Sequence, residues 1–113
     1  MYSLIAVAIR QDEHRLEEPL LNELVSELEG WSSDGTRLEK TFTRRGWKDA
    51  IAFVNAVAEA AAAADHHPDI HVEGYKRVRI VLTTHVSGGI SQADIDLAAA
   101  IDRLAPAPKA KPA

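Results

Sequence analysis

The sequence predicts an α+β fold: a four-stranded antiparallel sheet with three helices packed on one face. Hydrophobic residues change between helical and strand spacing in the order helix, two strands, helix, two strands, helix. The breaks between these segments are short, which suits antiparallel strand pairs. The chain has 113 residues, 46% of them hydrophobic, enough for one domain with a small core.

Residues 1–16 read as an N-terminal arm or an extra strand. Met1 to Ile9 is apolar but too short to span a membrane, and no basic stretch precedes it, so neither a membrane anchor nor a signal peptide is expected. The domain proper is expected over residues 17–105. Its first helix covers residues 17–29: Pro19 suits the first turn, Leu20, Leu21, Leu24, Val25 and Leu28 recur at helical spacing, and Gly30 is a natural stop. Residues 31–33 form a short strand and Asp34-Gly35 a turn. Over residues 38–43, Leu38, Lys40 and Phe42 alternate with Glu39, Thr41 and Thr43, as in a hairpin partner.

The second helix covers residues 47–64. Trp47, Ala50, Ile51, Val54, Val57, Ala58 and Ala61 form one apolar stripe, and Phe53, Ala56, Ala60 and Ala63 or Ala64 another. Two stripes call for two burial partners, the sheet and a second subunit, unless alanine is there only as a good helix former. Pro68 stops this helix and biases His67 toward extended backbone. Ile70 and Val72 alternate with His71 and Glu73, and Gly74 permits a bend before a strand over residues 75–84. The last helix starts near Ser91, where Ser91 and Asp94 have capping-box spacing. Ile95, Ala98, Ile101 and Leu104 or Ala105 supply its apolar stripe. Residues 106–113, rich in proline and lysine, have little to bury and are expected to be disordered.

Thirteen Lys and Arg against seventeen Asp and Glu give a net charge of −4, which argues against direct nucleic-acid binding. The absence of cysteine excludes disulfides and thiolate metal sites, and allows a reducing compartment. The cytoplasm is the expected location.

Chemistry concentrates in histidine, the side chain that exchanges protons near neutral pH. His66 and His67 sit between Asp65 and Pro68 at a helix end, and His85 closes the strand-like run through Thr83 and Thr84. A helix end and a strand end can build a proton-transfer site. A histidine after a helix can also simply bond terminal carbonyls. Asp94 can serve only as a cap, and Asp65 only as a local hydrogen-bonding residue. His14 and His71 read as solvated. His66, His67, His71 and His85 could offer imidazoles to a metal, but no HExxH pair is present and no metal is expected. Ser87 and Ser91 lack a nucleophile elbow, and Gly88-Gly89 lacks a phosphate-loop lysine.

The run Asp65-His66-His67-Pro68-Asp69, with Tyr75, Thr83-Thr84-His85, Gly88-Gly89 and Asp94, resembles the pterin-4a-carbinolamine dehydratase (4a-hydroxytetrahydrobiopterin dehydratase) family. The likeness runs back through Gly30-Trp31 and covers residues 17–105. It implies the fold given above and a homodimer or homotetramer. It also implies a hydro-lyase that dehydrates a 4a-hydroxytetrahydropterin to the quinonoid dihydropterin in tetrahydrobiopterin recycling, with no cofactor. By resemblance His66, His67 and His85 are the catalytic set. His66 and His85 are the acid/base candidates, and His67 orients the pterin. Asp65, Thr83 and Thr84 help bind the substrate, while Asp94, Tyr75 and Pro68 support the site. Asp94 would orient or polarise a histidine, or cap its helix.

The chain departs from that pattern in four places. Ala62 and Val86 stand where many members carry acidic residues, with Glu59 one helical turn before Ala62. Ile70 replaces an aromatic, and Gly74 adds a residue before Tyr75. These departures keep open an alternative: a catalytically weak dehydratase-like protein acting as an assembly factor or transcriptional coactivator.

Overall fold

The computed structural model describes residues 10–105. After a single 3-10 turn at Gln11–Glu13 come α1 (Leu20–Ser26), β1 (Ser32–Ser33), β2 (Leu38–Thr43) and α2 (Trp47–Ala64). Then follow β3 (Asp69–Glu73), β4 (Arg77–Leu82), a second 3-10 turn (His85–Ser87) and α3 (Gln92–Leu104). The four strands form one sheet in the order β1-β2-β4-β3, with every neighbouring pair antiparallel. The expected α+β architecture is therefore present, with an open sheet and three helices. The apolar segment 1–9 and the expected disordered tail 106–113 lie outside the described residues.

Register fixes which side chains share a face. Leu38 pairs with Leu82, Lys40 with Ile80 and Phe42 with Val78, while Ile70 and Val72 pair with Ile80 and Val78. Side chains two apart point the same way, so these residues make one apolar surface. Buried residues of α2 and α3, among them Phe53, Val57, Ala98 and Ile101, close over it. Phe42 stacks at a tilt on Phe53, with ring centroids 4.9 Å apart.

The helices depart from the expected patterns in instructive ways. α1 is shorter than residues 17–29, because Glu27 and Leu28 continue only as turns. The buried stripe of α2 takes Ala50, Val57 and Ala61 from the first apolar stripe read from the sequence and Phe53 from the second. Phe53 and Val57 have the bulk to reach the sheet, and their placement rotates Trp47 out to 57% exposure. β4 is shorter than residues 75–84: it starts only at Arg77, since Tyr75 adopts a positive φ of 55° in the β3–β4 turn, and it ends at Leu82.

Lys40 stands on the core face of the sheet, where two oxygen acceptors meet its amino group. Its Nζ donates to Asp102 Oδ1 at 2.9 Å and to the Glu29 carbonyl at 3.0 Å. Trp31 Nε1 donates to the same Asp102 carboxylate at 3.1 Å. One carboxylate thus ties the C-terminal turn of α3 to β2 and to the segment after α1.

Ile80 is fully buried at the centre of this packing. Ile80→Ala should lower unfolding free energy by about 2–5 kcal/mol, read from urea denaturation. A loss under about 1 kcal/mol would place the centre of the core elsewhere.

Candidate active site

The C-terminus of α2 determines where His66 goes. The Asp65 N–H bonds the Ala62 carbonyl and the His66 N–H bonds the Ala61 carbonyl, each at 3.1 Å. With Asp65 left-handed at φ 53°, this is a Schellman closure built on aspartate instead of glycine. Aspartate tolerates that region better than most side chains. The closure turns the chain sharply, so His66 goes inward while His67 stays exposed before Pro68. This resolves how two adjacent histidines can border one site: they enter it at different depths.

His66 is only 7% exposed, and its Nε2 lies 2.6 Å from Asp94 Oδ1. Asp94 is completely buried. Its other oxygen accepts the Thr84 hydroxyl at 2.7 Å and the Ser91 backbone N–H at 2.9 Å. The latter bond belongs to the capping box of α3. Thr84 spends its proton on Asp94, so Ser91 Oγ is left to donate to Thr84 Oγ1 across 2.6 Å. Both sequence roles of Asp94 are thus present: it caps α3 and it orients a histidine. A carboxylate only accepts, so Nε2 is the protonated nitrogen and Nδ1 is the one left for other chemistry.

The hydrogen bond to Asp94 raises the His66 pKa above its ordinary value. Burial opposes this, and the charges of Asp94 and then Glu13 reinforce it.

Asp65, His66, His67, Thr83, Thr84 and His85 all border one open cleft of ≈ 200 Å³, with Glu13 and Val86 completing its wall. His85 reaches it from the 3-10 turn that follows β4, where Gly88 at φ 69° closes the turn. Thr83 Oγ1 is bonded to the Thr36 carbonyl at 2.6 Å, so that hydroxyl is already engaged. Tyr75 is not brought into this group. It lies in the β3–β4 turn, and β3 begins by the cleft and ends at Tyr75's turn, the length of the strand away. His71 is exposed on β3, as its place in the alternation implies. Among the described residues no three His, Cys, Asp or Glu side chains converge as metal ligands.

Sequence reasoning passed over Glu13. Its only signal was a position one residue before His14 in a segment with no clear periodicity. The Ser91 hydroxyl, besides its place in the capping box, also bonds Thr84.

Fold and cleft define a small α+β protein with a histidine-lined site whose innermost imidazole is held by a buried carboxylate. Residues 14–104 match the family described as pterin 4 alpha carbinolamine dehydratase, and the chain belongs to that family. A protein of Thermomicrobium roseum, provisionally named pterin-4-alpha-carbinolamine dehydratase, is 44% identical over 91 residues, covering 80% of this chain and 97% of its own. One from Thermosynechococcus vestitus with the same provisional name is 48% identical over 81 residues, 72% of this chain and 84% of its own. A solved transcriptional coactivator/pterin dehydratase from Brucella melitensis superposes with a TM-score of 0.77 at 29% identity, over 82% of this chain and 100% of its own. A pterin dehydratase-like RuBisCO assembly factor of the alpha-carboxysome superposes at 0.57, also with 29% identity, over 67% and 89%.

The His66–Asp94 pair makes stability depend on pH. His66 holds its proton more tightly folded than unfolded. Its stabilising contribution is complete below the unfolded value of about 6.5 and is lost as pH rises through the folded value. The gap in unfolding free energy between wild type and Asp94→Asn should therefore shrink with rising pH. His66 should titrate above about 6.5 by NMR in wild type and fall in the variant. A gap constant from about pH 5 to 9 would show that the pair carries no differential charge.

Proposed function

We propose that this chain dehydrates a 4a-hydroxytetrahydropterin to the quinonoid dihydropterin and water by histidine acid/base catalysis. The observation that supports it most is the single cleft shared by His66, His67 and His85, with His66 braced by Asp94. Family membership supplies the substrate class.

The reaction is an elimination. The C4a–O bond breaks as its hydroxyl takes a proton and departs as water, and a ring nitrogen gives up a proton as the new double bond forms. Nothing is oxidised or reduced. Two proton-transfer groups suffice, each worth about 10²–10⁴-fold. In this reading His66, whose protonated form Asp94 favours, protonates the leaving hydroxyl. His85, exposed at the rim, takes the ring-nitrogen proton. His67 orients the pterin, and Asp65, Thr83 and Thr84 complete its contacts. The turnover would restore a tetrahydropterin cofactor after a hydroxylation, in the cytoplasm. A homodimer or homotetramer fits the uncovered edges β1 and β3 and the exposed Trp47. Among the described residues no helix is long and apolar enough to cross a membrane.

A second reading is an assembly or coactivator role with weak catalysis. It is favoured by the resemblance to the RuBisCO assembly factor and by the apolar Val86, 62% exposed at the cleft.

Freshly generated 4a-hydroxytetrahydropterin, followed by ultraviolet absorbance, separates the two. Wild type should accelerate its loss, and His66→Ala and His85→Ala should each lower the rate by about 10²–10⁴-fold. A folded wild type no faster than the spontaneous reaction would favour the partner-binding role.

A further inference from the structure

The segment before α1 is built into the cleft wall. At one end, Arg10 Nη1 donates to the Asp65 carbonyl at 3.3 Å, on the closure of α2. At the other, the Leu16 N–H donates to the Ile90 carbonyl at 2.8 Å, and Arg15 forms an antiparallel bridge with Ser91. Between these anchors the Gln11–Glu13 turn presents successive carboxylates to different spaces beside His66. Asp12 lines a hollow between α2 and α3, while Glu13 lines the histidine cleft.

Among the described residues, Glu13 is poorly satisfied where it stands. Its side chain is only 19% exposed. The cation beside it is Arg10 Nη2, at 3.5 Å. A committed charge-assisted hydrogen bond would be about 2.7–2.9 Å long. Arg10 also divides its guanidinium between Asp12 and Asp65. The other carboxylate lining the cleft, Asp65, is 83% exposed. Glu13 is thus a half-buried acceptor facing a cleft whose other ionisable walls are mainly imidazoles.

We propose that Glu13 is a specificity-determining residue, whose carboxylate receives the donor edge of the pterin's pyrimidine ring, the exocyclic amino group beside the ring N–H. This rests on the dehydratase reading and deepens it. Two parallel N–H donors match a carboxylate's two oxygens, the geometry that makes such pairs strong and directional. The same charge favours the protonated state of His66. A pteridine carrying oxygen in place of the amino group would meet that carboxylate with an acceptor and be rejected.

Fluorescence quenching with biopterin and with the lumazine that keeps biopterin's 6-side chain but carries oxygen in place of the 2-amino group tests this on the full chain. Wild type should bind biopterin at least about tenfold more tightly than the lumazine. Glu13→Gln should lose about tenfold or more in biopterin affinity and erase the preference, while Glu13→Asp recovers part of it. In turnover, the larger share of the Glu13→Gln loss should fall on KM. A wild type that dehydrates the carbinolamine yet binds both pteridines alike overturns the Glu13 role alone, and that result needs no variant to fold. So does a folded Glu13→Gln that keeps both affinity and preference. A wild type that neither binds biopterin nor accelerates dehydration overturns the reading of the cleft, and the role of Glu13 with it.

Discussion

Asp94 has no exposure to water, and a bare carboxylate in that position would be severely destabilising. Each of its oxygens is instead engaged: Oδ1 by His66 Nε2, Oδ2 by the Thr84 hydroxyl and the Ser91 N–H. These donors come from three places: the closure of α2, the end of β4 and the start of α3. None can shift without leaving a buried charge short of a partner, a penalty of about 3–5 kcal/mol when one member of such a pair is removed. The contact that holds the site together therefore also fixes how helix, strand and helix meet. Buried ion pairs are poor sources of net stability, and their better-attested use is to specify one arrangement.

α3 is pinned at both ends by acid. Asp94 sits in its first turn, where the helix dipole favours negative charge. Asp102 sits near its C-terminus, where the dipole disfavours it. There Lys40 and Trp31 supply compensating donors. The helix is thus locked in axial position against the sheet, and the capping turn bearing Asp94 is held in register with His66. A positioning tolerance of about 0.5 Å, which acid/base chemistry needs, is plausible only on such a support.

The histidines of the cleft differ in depth. His66 is deep, charged more readily and bonded through Nε2 to Asp94, while His67 and His85 are exposed. The same fold belongs to the Brucella melitensis transcriptional coactivator/pterin dehydratase and to the dehydratase-like RuBisCO assembly factor. A fold shared this widely leaves function to the particular side chains set on it. In this chain the histidine trio is complete, and Glu13 adds an acidic wall from a segment outside the sheet-and-helix core.

The sequence by itself determined the class of fold, the order of elements and the bounds of β2 and α2, because alternation and helical spacing are local signals. It also marked His66, His67 and His85, whose residue type and punctuated surroundings need no partner to be noticed. Only the tertiary structure decided which stripe of α2 is buried, since Phe53 and Val57 were assigned to different stripes and the sheet selected both. It separated Tyr75 from the cleft, which depends on strand direction and not on nearness in sequence. It also brought Glu13 into the cleft that His66 lines and Asp94 to the His66 Nε2, across 53 and 28 residues of chain, counting 66 − 13 and 94 − 66. No periodicity records such pairings. They arise where a helix closure, a strand end and an anchored turn compete for the same buried space, and the hydrogen-bond demands of one carboxylate settle who occupies it.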